Sequence, residues 1–193
     1  MSNDIVQPRW RFELIAQRLW QGAVIAYPTE GVWGLGCLPE NEEGVARVLA
    51  LKRRPWQKGL ILVAADLSQF EPYLAGLTAD RLAVLEQTWP GPVTFLVPDN
   101  GCAPPWIKGT HDQVALRVSD HPVVRGLCQA AGAPLVSTSA NPGGRMPARS
   151  SLRVRQFFAD AVDIIVPGAL GGATGPSEIR DLMSGSVHRE RSA

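Results

Sequence analysis

Between residues 12 and 189, short unbroken apolar runs alternate with segments whose apolar residues recur every three or four positions. The runs at 23–27, 60–65, 93–97, 114–118, 135–138 and 162–166 are bounded by Gly, Pro or polar residues. Their length and β-former content predict strands covered on both faces. The periodic segments predict helices over 12–21, 41–51, 68–75, 78–88, 122–131 and 151–158. Local signals agree: Gly22 follows the first helix, Asn41 can cap the second, and Pro122 opens the fifth. Two glycine-rich stretches, 29–37 and 168–176, predict loops, and 179–182 and 187–189 predict edge strands around Ser184-Gly185. Strand–helix alternation without a linker or repeat predicts one α/β domain with an open sheet, over residues 1–193. In such sheets ligands sit beyond the strand ends, so the loops after strands are where chemistry is expected.

Composition removes several classes. The chain has 193 residues, 45% apolar and 19% charged, with a net charge of +1. That balance argues against bulk-charge attachment to nucleic acid. No apolar stretch nears the ~20 residues of a membrane span, so no membrane association is expected. Asp4, Arg9, Arg11, Glu13 and Arg18 interrupt the first thirty residues, so no secretory leader is read. Cys37, Cys102 and Cys128 are odd in number and far apart. They read as reduced thiols of a cytoplasmic protein, neither disulfides nor a zinc site. P-loop, Rossmann, H-E-x-x-H, C-x-x-C and G-x-S-x-G patterns are absent. Ser119-Asp120-His121 cannot be a triad, because triads assemble from distant positions; His121 reads as a helix start. The six Trp show no spacing of base-stacking platforms.

Several segments carry possible chemistry. The chain has 16 Arg and 3 Lys, and two of the lysines fall in L-K-R-R-P-W-Q-K-G-L beside Arg53 and Arg54. These cations read either as helix C-terminal charges or as a phosphate clamp of Lys52, Arg54 and Lys58. Ser137-Thr138-Ser139-Ala140-Asn141 ends an apolar strand. It reads either as turn chemistry or as a row of neutral donors for phosphate or carboxylate oxygens. Arg117 lies inside an apolar strand, where a charge must be paired; it meets an acidic partner such as Glu30 or faces an anionic ligand. Arg145, Arg149, Arg153 and Arg155 read as a solvated helix face or as an RNA-facing patch.

In order and spacing, Tyr27-Pro28-Thr29-Glu30, Gly34-Leu35-Gly36, Lys52-Arg53-Arg54-Pro55, Trp89-Pro90-Gly91-Pro92-Val93-Thr94, Leu116-Arg117-Val118, Ser137-Thr138-Ser139-Ala140-Asn141 and Pro176-Ser177 resemble the YrdC/TsaC family. The resemblance spans about 23–189. It implies a single-domain, twisted, open mixed α/β sheet flanked by helices, the YrdC-like fold, in its short bacterial form. It implies synthesis of threonylcarbamoyl-AMP from L-threonine, bicarbonate or CO2, and ATP, with pyrophosphate released and Mg2+ accompanying the nucleotide. The product would serve threonylcarbamoyladenosine modification of tRNA through partner proteins that use the adenylate. The K-x-R motif falls on Lys52 and Arg54 and the S-x-N motif on Ser139 and Asn141; all four are implied to hold ATP phosphates, and Lys52 and Arg54 to be catalytic. Lys58 and Arg189 are implied to reach ATP, and Thr29, Arg117, Ser137 and Ser177 to contact threonine or the carbamoyl group. A second reading of the same fold is a tRNA- or double-stranded-RNA-binding module in ribosome maturation. A third, a sugar-phosphate synthase, lacks its acidic metal cluster.

Overall fold

The computed structural model describes residues 8–190; residues 1–7, Asp4 among them, and 191–193 lie outside the described residues. The strands are β1 (Ile25–Pro28), β2 (Trp33–Gly36), β3 (Ile61–Ala64), β4 (Val93–Pro98), β5 (Gln113–Val118), β6 (Leu135–Ser139), β7 (Ile164–Ile165), β8 (Glu178–Asp181) and β9 (Val187–Arg189). They form one mixed sheet in the order β7-β1-β2-β6-β3-β5-β4-β8-β9. β3 runs parallel to β5 and antiparallel to β6, with Ile61 opposite both Ala115 and Ser137.

Period-two alternation divides the core between the two faces. On one face α2 (Glu42–Lys52), α4 (Ala79–Thr88) and α7 (Ser151–Phe158) bury Val48, Leu85 and Phe158 against Leu62, Phe95, Leu116 and Val118. On the other, α1 (Arg9–Trp20) and α6 (Pro122–Ala131) bury Phe12, Leu19, Val124 and Leu127 against Ile25, Tyr27, Val63 and Leu135. These two helices cover only part of their face. The remainder, floored by Ile61, Ala115 and Ser137, forms the wall of a cavity.

The caps follow the sequence. Asn41 Oδ1 accepts the Gly44 amide at 2.6 Å, and His121 Nδ1 accepts the Val123 amide at 3.3 Å. Nδ1 is thereby the acceptor of its ring, so Nε2 donates to the Ala169 carbonyl at 3.0 Å.

Three expectations are corrected. Residues 29–37 are not loop throughout, because they include β2, hydrogen-bonded between β1 and β6. Its glycines allow close approach: a Cβ on Gly36 would lie 2.1 Å from the Val136 carbonyl and 2.9 Å from the Tyr27 ring. The segment 68–75 is not one helix but a 3-10 turn, Leu67–Phe70, followed by the short α3 (Glu71–Leu74). Pro72 supplies no amide to link them. The strand at 162–166 shortens to β7, since Asp163 turns its carboxylate onto the Val24 amide at 2.7 Å. A further short helix, α5 (Pro105–Lys108), was not read from the sequence. Among the described residues no helix is long and apolar enough to cross a membrane.

Candidate functional site

One cavity of about 550 Å3 is lined by Thr29, Lys52, Arg54, Lys58, Arg117, Ser137, Ser139, Asn141, Ser177 and Arg189. The ten residues that the resemblance implies for ATP and threonine therefore share one hollow, although they come from six separated segments. Its size suits a small-molecule site.

The end of α2 builds the first corner. Arg53 takes the left-handed conformation (φ 51°), so the helix stops at Lys52 and the chain turns before Pro55. The Lys52 ammonium donates to the carbonyls of Ser139 and Asn141, the latter at 3.1 Å, and to Asn141 Oδ1 at 3.2 Å. Ser139 Oγ donates to the same Oδ1 at 2.6 Å, and the Gly143 amide donates back to the Lys52 carbonyl at 2.7 Å. Arg54 is held by carbonyls too: Nη2 donates to Lys58 at 3.0 Å and Gly59 at 2.9 Å. Burial, with Arg54 nearby, pushes the Lys52 pKa down to about 8. None of these partners carries negative charge, so the corner remains cationic.

The floor is built differently. Arg117 Nη1 donates to Glu30 Oε2 at 2.8 Å, and Ser119 Oγ donates to Glu30 Oε1 at 2.5 Å. Burial works against ionising Glu30, but Arg117 and the Ser119 hydroxyl outweigh it and hold the carboxyl below its ordinary range. Arg117 Nε is buried and has no hydrogen-bond partner. Of the two descriptions left open by the sequence, the pairing with Glu30 is the one the structure shows; Arg117 also lines the cavity, with its Nε buried and without a hydrogen bond.

The strap at 168–177 closes the third side. Gly171 and Ala173 amides donate to the Thr29 and Glu30 carbonyls at 3.1 and 2.8 Å. The approach is close enough that a Cβ on Gly31 would lie 2.2 Å from the Gly175 carbonyl. Ser177 Oγ bonds Thr94 Oγ1 at 2.8 Å, and Arg189 donates to the Ser177 carbonyl from Nε and Nη2 at 3.0 and 2.7 Å. Thr29 Oγ1 donates to the Val32 carbonyl at 2.7 Å.

A resident metal does not fit this donor set. Among the described residues Glu30 is the one carboxylate lining the cavity, and both its oxygens are engaged. Among the described residues no His, Cys, Asp and Glu cluster could hold an ion. The arginines of the basic stretch do not line this cavity: Arg149 bonds the Thr174 carbonyl at 3.2 Å, and Arg153 stacks on Phe157 at 4.4 Å. Sequence reading missed Gln113, Lys108, His111 and His188, which also line the cavity. Counting back by twos from Arg117 would have reached Gln113.

Residues 17–192 match the Sua5/YciO/YrdC family profile, described as "Telomere recombination". The threonylcarbamoyl-AMP synthase of Cellvibrio japonicus is 55% identical over 179 residues, 93% of this chain and 95% of its own. That of Stutzerimonas stutzeri is 56% identical over 180 residues, 93% and 97% respectively. P. abyssi Sua5 complexed with L-threonine superposes with a TM-score of 0.83 at 28% identity, over 90% of this chain. The chain spans 51% of that longer protein. E. coli YciO, at 24% identity and TM-score 0.83, covers 95% of this chain and 90% of its own and shares the fold.

Proposed function

Since the chain belongs to the Sua5/YciO/YrdC family, we propose that it is a threonylcarbamoyl-AMP synthase that acts as a nucleotidyltransferase. Its substrates are L-threonine, bicarbonate or CO2, and ATP. The observation that carries the reading is the juxtaposition of two unlike cation sites in one cavity: Lys52 and Arg54 on neutral oxygens, and Arg117 on a carboxylate with Nε unused.

The threonine amine adds to CO2 and loses a proton, giving a carbamate. A carbamate oxygen bonds to the α-phosphorus of ATP while the bond from that phosphorus to the bridging oxygen breaks, and pyrophosphate leaves with that oxygen. Both reactants are anionic, so the protein's task is orientation and charge neutralisation. Lys52, Arg54, Lys58 and Arg189 face the phosphates, with Ser139 and Asn141 fixing Lys52. Arg117, Thr29, Ser137 and Ser177 face threonine and its carbamate. Mg2+ enters on the triphosphate as part of the substrate. The mixed anhydride is handed to tRNA-modification partner proteins in the cytoplasm, which transfer its threonylcarbamoyl group to a tRNA adenosine.

The test is pyrophosphate release from ATP by the purified chain. Release is expected only with threonine and bicarbonate both present. Release without either one overturns the assignment.

A further inference from the structure

Gln113, Ala115 and Arg117 follow one another by twos on β5, so they share one sheet face, and all three line the cavity. Four residues at ~3.3 Å each place Gln113 roughly 13 Å along the strand from Arg117. The walls at that end are apolar: Leu96 lies opposite Ala115 on β4, and Ile107 and Ile179 join it. Lys108 there is tied to Asp99 at 2.6 Å, while His111 and His188 are exposed at the rim. An apolar slot with one fixed neutral amide suits a purine base.

The direction of that amide is set by Asp181. Its Oδ1 accepts the Met183 and Ser184 amides at 2.8 and 2.7 Å, and its Oδ2 accepts Gln113 Nε2 at 2.6 Å. The Ser184 amide, with Gln113 next, holds the Asp181 carboxyl down to about 2, so it is ionised at any working pH. An ionised carboxylate only accepts, which forces the Gln113 nitrogen toward it. Gln113 Oε1 is left as an acceptor for which no hydrogen bond is formed among the described residues. Adenine offers an N–H donor at its 6-position; a 6-oxo purine offers a second acceptor, which Oε1 would repel.

We propose that Gln113 reads the 6-position of the nucleotide base, selecting a 6-amino purine over a 6-oxo purine, with Asp181 as the positioning residue that orients its amide. The proposal rests on the ATP reading above and adds base selectivity to it.

The experiment measures kcat/KM for pyrophosphate release with ATP and with inosine triphosphate, threonine and bicarbonate being saturating. The unaltered protein is expected to prefer ATP by roughly tenfold to a hundredfold, the range for one buried hydrogen bond exchanged for a repulsion. Asp181→Asn can keep its oxygen on the turn amides while presenting N–H groups to Gln113, so the glutamine amide reverses. The preference for ATP should then fall at least about tenfold, with KM for threonine unchanged. Gln113→Met keeps length and volume but removes the acceptor, so it checks the proposal independently of how Asp181→Asn folds. It should bring the two nucleotides to within about threefold. Equal use of both nucleotides by the unaltered protein overturns the proposal but leaves the ATP reading standing, as does a preference unmoved in Gln113→Met. No pyrophosphate from ATP under any condition overturns the ATP reading and this proposal with it.

Discussion

Lys52 and Arg117 are both buried cations on the same cavity, 6% exposed each, yet they are held in opposite ways. Lys52 is surrounded by carbonyl, amide and hydroxyl oxygens, so its charge is oriented but not cancelled. Arg117 is paired with Glu30, so its corner is nearly neutral, and its Nε stays buried without a hydrogen bond. The first arrangement suits a polyanion whose charge grows during reaction, and the second suits one carboxylate or carbamate that must be aimed. A protein can thus tune a cation for attraction or for alignment by choosing what stands behind it.

Breaking the floor should have the largest effect on the protein itself. Glu30→Ala leaves Arg117 buried without a counter-charge. It is expected to lower the unfolding free energy by about 3–5 kcal/mol in urea denaturation. The same pair has a pH signature. Glu30 titrates below its ordinary 4.5 in the folded protein. The stabilisation is therefore complete above that pH and lost as pH falls through the depressed value. Glu30→Gln should flatten this acid limb. A loss under about 1 kcal/mol for Glu30→Ala would show that the pair is solvated and the contrast with Lys52 false.

Breaking the cationic corner should chiefly cost rate. Lys52→Ala is expected to reduce kcat/KM for ATP by about 10²–10³, the scale for removing one oriented donor from developing charge. Its fold, followed by thermal melting, should change far less in proportion than in Glu30→Ala. A reduction under tenfold would remove Lys52 from the phosphate-binding role.

The smallest effect sharpens the comparison most. Lys52 loses its proton near pH 8 in the folded protein but near 10.5 when unfolded. Between those values the unfolded chain binds the extra proton, so stability from this group rises with pH while the charge proposed to meet ATP is lost. Activity should fall severalfold as pH passes about 8 in a kcat/KM profile, and Lys52→Arg should move that fall to higher pH. Activity and stability falling together there would place the titration elsewhere.

The elements were largely legible because their signals are local. Asn41 and Pro122 mark helix starts and apolar runs mark strands, and neither needs a distant residue to be read. β2 was hidden because glycines look like loop when their purpose is to let Tyr27 and the Val136 carbonyl approach. The Lys52–Arg54 and Ser139–Asn141 motifs could be picked out in the sequence, as could Arg117 with Glu30 as a possible partner. Gln113 and Asp181 could not, since nothing near either residue in sequence reports the other.

By itself, then, the sequence determined most of the strand and helix order, with β2 and α5 as the exceptions, and the polar and cationic residue types that line the cavity. Only the tertiary structure decided that Lys52 rests on neutral oxygens 87 and 89 residues away and that Arg117 keeps one donor unused behind its ion pair. It also decided that Asp181 faces Gln113 across the sheet. The reason is physical: propensity and capping act within a few residues, whereas the charge state and aim of a buried group are set by whatever the fold packs against it.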